Sequence, residues 1–316
     1  MTISNRFSAT LLAVCLSLGA LRGGHAAQAF AIADSKTGAV LQEREGNQKR
    51  QVGSLTKVAM AMVVLDWAER QKGDLNQVAT VPPEAFTGAP ENFIGLQPGD
   101  TCTLRDLLYA ALVQSDNIAA YTLAAAVGEQ LQAIVPSTQA TSPVNLFIGQ
   151  MNALAKNLKM ARTHFVNPHG SDVNVKPLPY STAIDMARLA RYAMDKAGFR
   201  FYVSQKERQI SFQRAGKTLQ YKLRNTNELL GVDGVEGVKT GKTARAGDCL
   251  MLSAQQKAEV IQNGPTSTTV IPRHLIIVLL GSTDRFGEGR QLLSLGWQLY
   301  DRWAAAGRPI DPKKSL

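Results

Sequence analysis

A chain of 316 residues with 45% apolar and 19% charged residues can bury a sizeable core, which excludes wholesale disorder. Lys and Arg number 35 against 25 acidic residues, a net charge of +10. The basic residues are scattered, with no Lys/Arg-rich block interleaved with aromatics, which argues against a nucleic-acid surface.

Residues 1–27 have the pattern of a secretory signal. Arg6 is the sole charge before Phe7 to Leu21, an apolar stretch of roughly 15 residues, short of the ~20 that span a bilayer. Small residues near Ala26 and Ala27 suit cleavage, which would remove Cys15 and leave Cys102 and Cys249. Export would permit those two to pair; we read them as separate buried thiols. No later segment is apolar enough to span a membrane, so at most peripheral membrane contact is expected.

Residues 30–34 and 39–43 read as strands joined by a turn at Gly38. Residues 58–67 are nearly all apolar and end in Glu69, Arg70 and Lys72, a helix stopped by Gly73 with Ser54 as its N-cap. Helices are expected at 104–113 and 118–127, the second closed by Gly128. Residues 129–144 read as a surface excursion. Further helices are expected at 146–158 and 182–196, the latter opened by a Thr182/Asp185 capping box. The period then changes. Strands are expected at 209–212 and 218–223 around Gly216, and at 235–240, 248–253 and 274–280, with a polar loop at 257–272. An amphipathic helix at 290–303 closes the chain. These elements predict one α+β domain over 28–306 and a short tail, 307–316. Its antiparallel sheet combines N- and C-terminal segments, flanked by a helical subdomain.

Three short motifs stand out: Ser54-Leu55-Thr56-Lys57, then Ser115-Asp116-Asn117, then Lys239-Thr240-Gly241. Each is weak alone; their order is informative. Ser54 and Lys57 share one helix face, as nucleophile and base. An ordinary lysine, with a pKa near ~10.4, is protonated and cannot act as a base. Lys57 must therefore be desolvated or lie near a cation, for which Lys239 is a candidate. Ser115 can relay a proton, Asn117 can hold a peptide-like group, and Asp116 should point away. Lys239 and Thr240 can take a carboxylate, and Gly241 leaves room for a substrate along the strand. Lys36-Thr37-Gly38 precedes the nucleophile in a hairpin turn and reads as structural. Phosphate-loop glycines are absent at 211 and 236, and the histidines lack metal-site spacing.

With those motifs in place, the chain resembles the low-molecular-mass penicillin-binding proteins, the serine D-alanyl-D-alanine carboxypeptidases. The likeness runs from about Ala29 to Trp303. It includes Asn167-Pro168-His169-Gly170, Asn225-Thr226-Asn227, the run from Gly237 to Thr243, and Ala246-Gly247. The resemblance implies a β-lactamase/transpeptidase-like fold and catalytic Ser54, Lys57 and Ser115. It implies substrate contacts at Asn117, Lys239, Thr240 and Gly241, and an oxyanion hole from the backbone N–H groups of Ser54 and Lys242. The implied substrates are peptidoglycan stem peptides ending in D-Ala-D-Ala, with β-lactams as covalent inhibitors and neither metal nor cofactor. The implied location is beyond the inner membrane, in the periplasm or wall space.

Two departures are visible. Val52-Gly53 stands where Pro-Ala is usual, and Thr226 stands where some members carry an arginine, so anchoring is expected to be either weaker or shared with Arg245. Three other readings stay open: a D,D-endopeptidase, a β-lactamase, and a penicillin sensor or wall-binding protein with little turnover. The β-lactamase reading lacks the deacylating glutamate in an E-x-x-L-N setting.

Overall fold

Strand β1 (Ala29–Asp34) and the last strand, β9 (Thr268–Ser282), carry runs of consecutive apolar residues, the pattern of strands covered on both faces. A computed structural model of the chain describes residues 27–87, 91–134 and 141–316. The expected signal, apart from Ala27, and part of the expected excursion lie outside the described residues. Side chains of the two strands divide by parity. Ala29, Ala31, Ile276, Val278 and Leu280 enter the larger core, beneath the helices. Phe30, Ile32, Leu275, Ile277 and Leu279 enter a second core with Trp297 and Tyr300 of α7 (Arg285–Ala305).

The main sheet has the order β2-β1-β9-β8-β7 and is antiparallel throughout, with β2 at Val40–Arg44, β7 at Val235–Thr243 and β8 at Gly247–Gln262. The two ends of the chain thus share one sheet, as expected. A smaller sheet, β3-β4-β5-β6, joins Val78–Thr80, Thr101–Thr103, Glu207–Arg214 and Lys217–Arg224. Helix α1 (Thr56–Arg70) is buried without interruption from Thr56 to Val64. A helix apolar on all sides belongs inside the core, and α1 is the central helix here. Around it lie α2 (Leu104–Val113), α3 (Asn117–Ile134), α4 (Pro143–Asn157) and α5 (Ala183–Asp195). None of the described helices is long and apolar enough to cross a membrane.

Four expectations need correction. Gly128 does not close a helix: α3 continues to Ile134. A Cβ at Gly128 would collide with the Pro143 carbonyl, so the glycine permits close contact with the start of α4. A short helix, α6 (Ala197–Val203), precedes the C-terminal strands. The polar stretch 257–272 is mostly the outer part of the β8–β9 hairpin, with Val260 opposite Val270. Both valines are 60% exposed, so this ribbon has no buried face to mark it as strand. The Thr182 hydroxyl accepts from Asp185 N (3.0 Å), but the Asp185 carboxylate accepts from Arg162 N (2.9 Å) instead of completing a capping box. Cys102 and Cys249 are separate buried thiols, as expected, and burial pushes them up to about 12 and about 11.

Gly128→Ala tests the helix contact because two effects oppose. Alanine favours a helix by ~1 kcal/mol over glycine. Overpacking against a neighbouring backbone costs about 1–3 kcal/mol. We expect a lower urea midpoint; an unchanged or raised midpoint would show that α4 yields freely.

Candidate active site

The backbone around Ser54 is held by close contacts at glycines. Gly53–Leu55 form a 3-10 turn leading into α1. Gly170, at φ 88°, lies against this turn: a Cβ there would collide with the Gly53 carbonyl and stand 2.8 Å from Thr56 Oγ1. Asn167 folds the segment that delivers it, accepting from Gly170 N (2.6 Å) and donating to the Ser171 carbonyl (2.7 Å). From the other side comes β7. A Cβ at Gly241 would stand 2.7 Å from the Val52 oxygen and 3.2 Å from Ser54 N. The missing side chain at 241 therefore lets the strand pack on the nucleophile turn, a reason independent of any substrate.

Ser54 is not an N-cap. No side chain caps either the turn or α1, and Leu55 is the residue that precedes the helix. Ser54 Oγ is instead 2.7 Å from Lys57 Nζ. The same amine donates to Asn117 Oδ1 (2.5 Å) and to the His169 carbonyl (3.1 Å). A neutral amine has two hydrogens and one lone pair, and carbonyl oxygens only accept. Asn117 and His169 thus take both hydrogens and leave the lone pair for the Ser54 hydroxyl. The first two motifs and the Asn-Pro-His-Gly segment meet at one nitrogen.

Ser115, in the link between α2 and α3, is buried with φ at 69°, an uncommon conformation outside glycine. Among the described residues its hydroxyl makes no hydrogen bond to Ser54 or Lys57. Asp116 points away, as expected: its carboxylate accepts from Ala119 N (2.8 Å) and Ile94 N (3.2 Å). Lys239 is fully buried and donates to the Thr240 carbonyl (3.1 Å). Thr240 Oγ1 lies 2.6 Å from Thr226 Oγ1, which sets the departure at 226 beside the third motif. The Lys242 side chain turns outward to Asp248 (3.0 Å), while its backbone nitrogen stands 3.0 Å from where a Gly53 Cβ would be.

A cleft of about 170 Å³ opens beside Ser54, lined also by Glu91, Asn117, Gly170, Val173 and Lys242. Sequence reading missed Glu91, whose backbone oxygen accepts from Asn117 N (3.1 Å) and whose carboxylate accepts from Asn117 Nδ2 (3.3 Å). A single carboxylate in an aperiodic loop carries no signal that could have found it. Arg285 was missed too; it donates to the Gly241 carbonyl (2.8 Å) and pairs with Asp248 (3.3 Å). Arg245, by contrast, is exposed.

Burial brings Lys57 down from the ordinary lysine range to about 7, against Glu91 and Asp116, which raise it. Desolvation, not a neighbouring cation, is therefore what lets this lysine lose its proton near neutrality. Lys239 is also held well below its ordinary value, first by burial and then by the charge of Lys57. Burial and Lys57 push His169 down to about 3, so its imidazole stays neutral.

The family described as D-alanyl-D-alanine carboxypeptidase matches residues 19–263, well over half of the chain. The chain belongs to the D-alanyl-D-alanine carboxypeptidase family. Its relatives include the Escherichia coli D-alanyl-D-alanine carboxypeptidase DacC, 32% identical over 285 residues, which are 87% of this chain and 62% of the relative. A D-alanyl-D-alanine endopeptidase of Pseudomonas aeruginosa is 30% identical over 223 residues, 70% of this chain and 64% of the relative. The chain thus spans less than two thirds of the length of either. A crystal structure of a Streptomyces DD-transpeptidase superposes with a TM-score of 0.72 at 28% identity, covering 87% of this chain and 98% of that one. The transpeptidase-like fold expected from the motifs is therefore the fold of this family member.

A lysine must be neutral to act as a base, so a pKa of about 7 would make Lys57 competent above that pH and inactive as pH falls through it. Stability follows the same sign. The unfolded lysine keeps its proton to ~10.4, so the buried amine costs stability in acid and this cost fades as pH rises between the two values. We expect penicillin acylation to fall ~tenfold per pH unit well below neutrality. Glu91→Gln removes a charge that raises Lys57, so the acid limb should move down by up to roughly one unit. A flat profile, or a limb that moves up, would remove Lys57 or Glu91 from these roles.

Proposed function

We propose that this protein is a serine-type D-alanyl-D-alanine carboxypeptidase of peptidoglycan stem peptides, working through an acyl-enzyme on Ser54 that penicillin also forms. The observation that carries the reading is a buried lysine amine, neutral near pH 7, at 2.7 Å from the Ser54 hydroxyl. Lys57 takes the Ser54 proton as Oγ attacks the amide carbonyl between two terminal D-alanines. The backbone N–H groups of Ser54 and Lys242 receive the developing oxyanion. Ser115 relays that proton, accepting one from Lys57 as it gives its own to the leaving D-Ala nitrogen, and water then hydrolyses the ester. Asn117 holds the stem peptide while Lys239 and Thr240 take its terminal carboxylate. The chemistry calls for no metal or cofactor. It belongs outside the cytoplasm, where residues 1–27 would direct the chain as a signal.

A second reading, D,D-endopeptidase, is favoured by the Pseudomonas aeruginosa relative of that name. Cleavage of cross-links uses the same acyl step with a larger leaving group. Product analysis separates the readings. We expect free D-Ala from stem pentapeptide, and no covalent label from fluorescent penicillin on Ser54→Ala. Monomers from cross-linked dimers with intact pentapeptide would replace carboxypeptidase by endopeptidase. Intact substrates with a lasting penicillin adduct would leave a sensor, and a labelled Ser54→Ala would move the nucleophile elsewhere.

The carboxylate role of Lys239 has its own test. A bound carboxylate favours the charged form of Lys239, and the pair so formed gives Lys57 little net charge to feel. Substrates with a free C-terminus should therefore show a lower KM than their C-terminal amides, and Lys239→Ala should erase the difference. An equal preference in the variant would show that Lys239 does not read the carboxylate.

A further inference from the structure

At the end of β7 remote from Ser54 lies a second, larger cavity, about 850 Å³, lined by none of the residues of the cleft described above. Glu236 reaches it, six positions before Lys242 on the same strand, which at ~3.3 Å per residue is roughly 20 Å away. Its basic lining comes from four separate places in the fold: Lys36 in the β1–β2 turn, Lys159 after α4, Arg188 and Arg191 on α5, and Arg200 on α6. The side-chain carboxylates of Asp195 and Glu236 and the last residue, Leu316, stand against these five cations, and Pro312 and Ser315 also line the cavity.

The cations are largely unneutralised. Arg188 pairs with Asp185 (2.8 Å). Among the described residues no carboxylate lies within ion-pair reach of Lys36, Lys159, Arg191 or Arg200. Arg191 donates to the Ser35 (2.8 Å) and Lys36 (2.9 Å) carbonyls, and Arg200 to the Met194 carbonyl (2.5 Å). Main-chain carbonyls fix a guanidinium without cancelling its charge. Glu236 is already engaged, with His274 Nε2 at 2.6 Å and the Ser253 hydroxyl at 3.0 Å. That Ser-His-Glu group is not a second catalytic triad, because Ser253 and Glu236 both meet the same ring nitrogen, Nε2. Glu236 still lies within the field of Arg200, which helps lower its carboxyl, but its hydrogen bonds are taken by Ser253 and His274.

We propose that this cavity is a binding site for a polyvalent oxyanion, a ligand with several closely spaced phosphate or carboxylate groups. Its volume exceeds what a single phosphate fills, and its fixed guanidinium groups match the planar geometry of such groups. Bringing like charges together without partners raises the energy of the empty cavity, and an oxyanion bridging α5, α6 and the β1–β2 turn relieves it. The proposal stands independently of the reaction at Ser54.

Calorimetric titration of the purified protein at physiological salt with inorganic tripolyphosphate and, separately, with the tricarboxylate tricarballylate tests it. Binding of the first alone identifies a phosphate ligand, and of the second alone a carboxylate ligand. We expect the Lys36→Glu/Lys159→Glu double variant to weaken binding about tenfold or more, and the Lys36→Arg/Lys159→Arg variant to retain it. Penicillin labelling of Ser54 reports that each variant is folded; should the Glu pair fail to fold, Arg200→Gln takes its place with the same expected direction. No binding of either probe at ~1 mM, or equal affinity in the charge-reversed protein, would overturn the site.

Discussion

One buried nitrogen organises the functional half of this molecule. Lys57 Nζ is surrounded by Ser54 Oγ, Asn117 Oδ1 and the His169 carbonyl. A charged lysine in such a place carries a desolvation penalty, and three oxygens do not offset it. The amine therefore gives up its proton near neutrality. Two of its oxygens can only accept, which orients the free amine toward the third. The neutrality of the amine and its orientation have one cause, and neither needs a mobile part.

That arrangement demands that three distant segments reach each other at backbone distance. Side chains would hold them apart, so the contacts are made at glycines. Gly170 meets the Gly53 carbonyl, and Gly241 meets the Val52 carbonyl and Ser54 N. The rest of the fold supports this meeting. The two-faced burial of β1 and β9 fixes the sheet, β8 carries β7 along its length, and the fully buried start of α1 keeps Lys57 dry. Asp116 completes the support by tying the start of α3 to Ile94, which places Asn117. The residue between two functional neighbours in the second motif is therefore the one that fixes their position.

The legible parts were those where burial imposes a period. The apolar runs of β1, β9 and α1 announced themselves, and so did the α2–α3 link, because Ser, Asp and Asn interrupt two helical patterns. The outer β8–β9 ribbon reads as loop because it is wet on both faces, and α6 has no element assigned to it because seven residues with Gly198 show little period. Gly128 was read as a stop because local propensity says so; only the approach of Pro143, from beyond the excursion, explains it. Ser54 looked like a cap for the same local reason, although its partner is Lys57. Within the site, the motif residues were legible and Glu91 and Arg285 were not. Their contributions depend on which backbone atoms the fold brings near, such as the Gly241 carbonyl for Arg285.

The third motif places a second amine in the same dry region, and two such cations cannot both keep their protons cheaply. Their surroundings decide between them. Lys57 has an acceptor for each hydrogen of its neutral form and a hydroxyl for its lone pair. Lys239 has one backbone carbonyl, its Thr240 neighbour, and hydrogens left without acceptors in the pairings described here. In the proposed reaction the missing acceptor is the substrate's carboxylate. Its arrival would favour the charged form of Lys239, and the ion pair so formed presents little net charge to Lys57. The two amines are therefore separable in that reaction: burial alone keeps Lys57 neutral beside Ser54, while the state of Lys239 follows the ligand's terminus.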